Sequence, residues 1–138
     1  MNLDDSCSVE WCNVFGFGIA GIANAVHGSR VPAVFLHKNN YLHICSHTTR
    51  NYHCWDSDAM PTGKWFNLKI KQEFVASELL YKVYINDEEV HFVQNTHYVP
   101  ENFENVNGVI GNLYDIDDFF PATAKYRNFL FTSEGKRL

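Results

Sequence analysis

Apolar and polar residues alternate with a period of two along most of the chain, the pattern of half-buried strands. In the stretch SVEWCNVFGF, Val9, Trp11 and Phe15 alternate with Glu10 and Cys12. VPAVFLH (31–37) is a short, mostly apolar run closed by Lys38-Asn39-Asn40, a turn signal. YLHICSH (41–47) and NYHCWDS (51–57) flank the polar link Thr48-Thr49-Arg50 and read as a hairpin. The loop SDAMPTG (57–63) then leads into KWFNLKIKQ (64–72), where Trp65, Asn67, Lys69 and Lys71 alternate with Phe66, Leu68, Ile70 and Gln72. YKVYINDEEVHFVQN supplies two more runs joined at the turn dipeptide Asn86-Asp87. Late strands are expected over 105–112 and 125–133, separated by the acidic, aromatic loop LYDIDDFFPATA. The only helix-like window, 72–83, fails because Val75 and Ala76 break its stripe and the alternation Tyr81-Val83-Ile85 resumes at once. About nine or ten short strands with turns between them predict an all-β antiparallel sandwich or barrel.

The cysteines add a register. Cys7, Cys12, Cys45 and Cys54 permit three pairings. Placing Cys45 opposite Cys54 puts Ile44 opposite Trp55 and Leu42 opposite Ser57, so Leu42, Ile44 and Trp55 share one face. That register brings the two cysteines within bonding reach, and a Cys45–Cys54 disulfide is expected. Cys7 and Cys12 either pair locally or leave Cys7 to a partner elsewhere. Zinc is disfavoured, because no C-x-x-C or H-x(3–5)-H spacing accompanies them. An oxidising compartment follows from the pairing. Residues 1–6 lack a basic segment followed by an apolar one, so no secretory leader is read here. The chain is then either cytosolic or a module of a longer extracellular protein, and the cysteines favour the second. No N-x-S/T sequon occurs.

Length and charge narrow the class. With 138 residues the chain is expected to form one domain, residues 1–138, with 1–8 as a loosely ordered arm. A hydrophobic content of 46% excludes general disorder. Sixteen acidic against 11 basic residues, a net charge of -5, and no basic block argue against nucleic acid as a partner. The longest apolar run, Val14 to Val26, is interrupted by Gly16, Gly18, Gly21 and Asn24 and is shorter than the ~20 residues a membrane span needs.

A family resemblance emerges from the order of these motifs. Gly63, Trp65, Leu68 and Ile70 open one strand. Tyr81, Val83, Ile85, Asn86, Asp87 and Val90 form a hairpin, and Arg127, Asn128 and Phe131 close the last strand. This arrangement resembles the concanavalin A-like sandwiches, especially the laminin G-like and pentraxin-like modules of extracellular animal proteins. It covers residues 31–133, about three quarters of the chain. The resemblance implies an antiparallel jelly-roll β-sandwich. It implies no specific ligand, and the calcium-binding positions of pentraxins have no residue-by-residue match. The chain is shorter than a typical laminin G module, so one or more edge strands are expected to be missing or contributed by a neighbour. Read by its own chemistry, Trp65 suits a large core anchor, and Asn86-Asp87 tolerates the positive φ of a tight turn.

Two constellations carry candidate chemistry. In the register above, Tyr41, His43, Cys45 and His47 point to one face of the hairpin with Tyr52, Cys54 and Asp56, and His37 or Arg50 could border them. Aromatic rings among hydrogen-bonding groups suit a sugar, whose C–H face stacks on a ring while its hydroxyls are bridged. Tyr41, His43, His47, Tyr52 and Asp56 are the candidate ligand-binding residues, against the plainer reading of an ordinary solvated sheet face. The second is the loop carrying Asp115, Asp117 and Asp118, three carboxylates that could gather around calcium. No cofactor is otherwise required. A glycosidase needs two carboxyl groups about 5–5.5 Å apart, and the E-x-D-x-E spacing that achieves this on a strand is absent. The seven histidines are dispersed, and only His43 and His47 share a strand face, too far apart for one ion. Gly16-Phe17-Gly18 opens no capped helix and fails as a dinucleotide signature. The expected function is non-catalytic, extracellular, lectin-like carbohydrate recognition. The alternative is protein–protein adhesion or self-assembly, with a homo-oligomer among its outcomes.

Overall fold

A computed structural model of the chain describes residues 1–4, 7–19, 30–46, 53–75, 78–95, 106–111, 120–122 and 124–130. Every regular element among them is a strand, and the described residues of the discounted helical window, 72–75 and 78–83, are β. In chain order these are β1 (Asn2–Leu3), β2 (Trp11–Ile19), β3 (Ala33–His37), β4 (Tyr41–Ser46), β5 (His53–Ala59), β6 (Leu68–Val75), β7 (Glu78–Ile85), β8 (Glu88–Asn95), β9 (Val106–Ile110), β10 (Phe120–Pro121) and β11 (Ala124–Lys125).

The larger sheet runs β10-β2-β3-β4-β5, and β9 also pairs with β2. Its ladders are antiparallel except for the short parallel contact of β10 with β2. A second antiparallel sheet has the order β6-β7-β8, and β1 pairs with β11. One core joins them. Val14, Val34, Leu36, Leu42 and Ile44 of the larger sheet cluster with Tyr81 and Val83 of β7, Leu3 of β1 and Phe66. On the opposite face of the larger sheet, Ala33, Phe35 and Cys45 form a smaller cluster with Trp11 and Cys54. β3 is therefore buried on both faces, which is why its sequence is an apolar run without alternation.

Local signals account for much of this. Asn86 and Asp87 both have positive φ, 52° and 66°, the condition for a two-residue hairpin between β7 and β8. Asn86 also anchors the start of β6. Its amide donates to the Asn67 carbonyl at 2.9 Å, and its side-chain oxygen accepts from the Asn67 amide at 3.0 Å. The β4–β5 register pairs Cys45 with Cys54 and Ile44 with Trp55, as expected. Both disulfides are formed, Cys45–Cys54 and the local Cys7–Cys12.

Four expectations are corrected. β5 extends to Ala59, into a segment read as loop, and carries one extra residue, so that Tyr41 pairs with Ala59. The bulge leaves the Leu42 amide to donate to the Ser57 hydroxyl at 2.9 Å. In β2 a second bulge between Asn13 and Phe15 puts Val14 and Phe15 both against the main core, while Trp11 lies on the other face. Trp65 is no core anchor. It is 41% exposed beneath the Arg127 guanidinium, 4.2 Å from its ring centroid, and Phe66 takes the buried place instead. Of the strand expected over 125–133, only Lys125, the second residue of β11, is strand among the described residues. Tyr126 leaves the ladder to donate its hydroxyl to the Val14 carbonyl at 2.8 Å, and Asn128 has φ of 53°.

The first residues form no loose arm where they are described. Asn2 and Leu3 are buried in β1, and the Met1 ammonium donates to the Phe66 carbonyl at 2.6 Å.

Candidate functional site

The outer face of the larger sheet brings residues from four strands into rows. One row runs Trp11, His37 and Tyr41; the next runs Asn13, Phe35, His43 and Asp56; the third is Ala33, Cys45 and Cys54. Antiparallel pairing sets these neighbours side by side, and alternation sends the intervening Leu36, Leu42 and Ile44 into the core.

Rings dominate the first two rows. Trp11 meets His37 at 4.6 Å between centroids, His43 at 5.0 Å and Tyr41 at 5.9 Å, all tilted or edge-on. His37 and Tyr41 lie nearly parallel at 4.4 Å. Such offset and edge-on contacts are the favoured arrangement of aromatic rings, and here they lock a shelf in place. His37 accepts a hydrogen bond from the Asn39 amide at its Nδ1, 3.2 Å, which leaves its proton on Nε2. His43 Nδ1 lies 2.5 Å from the Asp56 carboxylate. Facing a carboxylate, His43 Nδ1 carries a proton and donates it to Asp56. Asp56 is more than half exposed at its side chain, so the pair is reachable from solvent. Partial burial, then the charges of Asp56 and Glu10, hold the Tyr41 phenol above its ordinary range, and it is a neutral donor at physiological pH.

The third row is closed off. Arg30 donates to Cys45 Sγ at 3.6 Å and lies 4.9 Å above the Phe35 ring, covering that end of the face. His43 lies within 4.8 Å of both sulfurs, but a disulfide offers no thiolate, and the set does not serve as a metal site.

Of the residues read from sequence, Tyr41, His43 and Asp56 come together as expected, beside the Cys45–Cys54 disulfide. His47, Tyr52 and Arg50, and the calcium candidates Asp115, Asp117 and Asp118, lie outside the described residues. Trp11, at the centre of the shelf, was missed. Its own strand reads as alternating but says nothing about which strand lies beside it. Phe35 was hidden in an apolar run with no polar partner to mark its face.

The histidines are less dispersed in space than in sequence. His53 of β5 and His91 of β8 meet across the two sheets, their Nε2 atoms 2.9 Å apart. The Trp55 ring lies nearly parallel to His91 at 5.0 Å, and Tyr81 packs edge-on to both imidazoles. Burial lowers the pKa of each histidine from the ordinary imidazole value, and for His91 the neighbouring His53 lowers it further.

No helix among the described residues is long and apolar enough to cross a membrane. Comparison of the chain with family models, with curated proteins and with solved structures returns no match, so the reading of this face rests on its own geometry.

Proposed function

We propose that the protein is a non-catalytic recognition module that binds carbohydrate on the outer face of the larger sheet. The observation that carries this reading is the shelf of Trp11, Tyr41 and His37 beside the solvent-facing His43–Asp56 pair. A pyranose presents a C–H face to an aromatic ring and hydroxyls at its edge. Asp56 accepts from such hydroxyls, and the Tyr41 phenol donates to them. Two disulfides suit an oxidising, extracellular setting. Two sheets around one core suit the concanavalin A-like jelly roll that the sequence motifs resemble.

The test is a glycan array with the purified domain, run with calcium and repeated in EDTA. Selective binding that survives EDTA and falls at least tenfold in Trp11→Ala and Asp56→Asn supports the shelf. Binding abolished by EDTA moves the site to Asp115, Asp117 and Asp118. A blank array from folded protein removes the carbohydrate reading.

A second reading, adhesion or self-assembly, is favoured by one apolar surface. Phe129 is 46% exposed and packs against Phe15 and Phe17, while Leu130 and Ile110 are exposed. Sedimentation that shifts with concentration, and ceases to shift in Leu130→Asp, supports it.

A further inference from the structure

We propose that His53 and His91 form a proton-sensitive clasp between the two sheets, tolerating one added proton and released by a second. The geometry is specific. The two rings are parallel to within 6°, yet their centroids are 5.2 Å apart while their Nε2 atoms are 2.9 Å apart. The difference between those distances is the two ring radii, so the imidazoles meet end-on in a common plane and do not stack face to face. One Nε2–H therefore points straight at the lone pair of the other Nε2.

Proton bookkeeping follows from that axis. In the neutral pair one ring is protonated at Nε2 and donates, and the other is protonated at Nδ1 and accepts. A first added proton goes to the free Nδ1 of the donor ring, and the bond survives as a charge-assisted one. A second must occupy the accepting Nε2. Two N–H bonds then point at each other, two cations face one another, and the contact cannot persist.

The surroundings offer little compensation. From β5 the neighbours are Trp55 and, on the outer face, Asp56, which is engaged by His43. From β4 comes Ser46, paired with His53 in the ladder and accepting from Gln72 of β6 at 2.7 Å. From β7 comes Tyr81, a neutral phenol, and Lys82 on the opposite face is paired with Glu89 of β8. No carboxylate faces the histidines among the described residues. His47 and Arg50, close to His53 in sequence, lie outside them. β5 is the edge strand of its sheet and β8 of the other, so the clasp closes the two sheets along one side.

The experiment is a pH titration from 8 to 4 of the full chain and of His53→Gln, His91→Gln and the double variant. Glutamine keeps a donor and an acceptor but takes no proton. Nitrogen-15 shifts of the imidazoles report tautomers, the Trp55 indole resonance reports the junction, and urea unfolding reports linkage. The expected wild type shows one Nε2–H and one Nδ1–H ring at pH 8, a two-step titration, and a Trp55 shift that accompanies only the second step. Its unfolding constant rises more steeply on acidification than that of the double variant, by up to tenfold per pH unit for each extra proton bound on unfolding. The double variant keeps its Trp55 resonance fixed. Two histidines titrating independently near 6.5, with Trp55 unmoved, would overturn the clasp. So would a double variant, folded at pH 8, that shows the wild-type Trp55 transition.

Discussion

Tyr81 shows how a single atom can be the weak point of a well-packed residue. Its ring is buried in the main core, and its hydroxyl has no hydrogen-bond partner among the described residues. Burial accordingly drives the phenol pKa far upward. A buried polar group without a partner costs about 1–3 kcal/mol, while the ring's apolar contacts stabilise. Tyr81→Phe keeps the ring and removes the orphan, and it should raise the urea midpoint by the equivalent of about 1 kcal/mol without changing the slope. A lowered midpoint would mean that the hydroxyl is bonded after all. Gly108 is the converse case. It sits opposite Phe17 in the β2–β9 ladder, and a Cβ there would run into the Phe17 ring. Gly108→Ala gains strand-like stiffness but must displace that ring, and overpacking of this kind costs about 1–3 kcal/mol. Net destabilisation is expected in the same urea assay, with loss of the ring-current shifts that Phe17 exerts on Phe129.

At the scale of elements, the β4–β5 hairpin does two jobs. Its inner face supplies Leu42, Ile44 and Trp55 to the core, and its outer face supplies Tyr41, His43 and Asp56 to the candidate site. The disulfide ties the two strands together on the outer face, bridging residues nine apart in sequence. For so short a loop, removing the cross-link with Cys45→Ala and Cys54→Ala together should cost about 2–3 kcal/mol, read as a fall in thermal midpoint. Saccharide affinity should weaken in parallel, because His43 and Asp56 lie on the adjacent rung. Loss of stability with full retention of binding would separate the two jobs. The hairpin was readable because alternation, a polar link and two cysteines all agree on one register. Its bulge was not readable, because Ala59 and Asp58 carry no pattern that distinguishes an extra strand residue from the start of a loop. The same holds for β11, where a tyrosine that bonds the Val14 carbonyl overrides a good strand sequence.

For the whole molecule, the consequence of joining the sheets through histidines is a pH-dependent stability. In the unfolded chain His53 and His91 titrate near the ordinary imidazole value of about 6.5. In the folded chain both are held lower by burial. The unfolded state therefore binds more protons on the acid side, and stability is at its full value above about pH 7 and declines as pH falls through 6.5. Because both rings are partly exposed, the decline is expected to be gradual. Thermal midpoints measured at intervals from pH 8 to pH 4.5 check it. A flat profile, or one rising towards acid, would contradict the direction. Glu73 acts in the opposite sense to a buried acid. Its hydrogen bond with Lys71 lowers its pKa, but the pair is exposed and adds little.

Amino-acid order alone determined what is local here. Period-two alternation marked the strands, Asn86-Asp87 marked the tight turn with its two positive φ values, and Cys45 and Cys54 marked a register. Each of these depends on residues within about ten positions of one another, where backbone sterics and side-chain alternation act directly. Tertiary structure decided which faces meet. Trp11 joins Tyr41 from thirty residues away and His53 joins His91 from thirty-eight, because strands that a linear pattern leaves unpaired come to lie side by side or across a core. Alternation says that a strand has two faces. Only packing against the second sheet says which of them is the inside, and it left Trp65 outside and His91 in contact with a histidine of the other sheet.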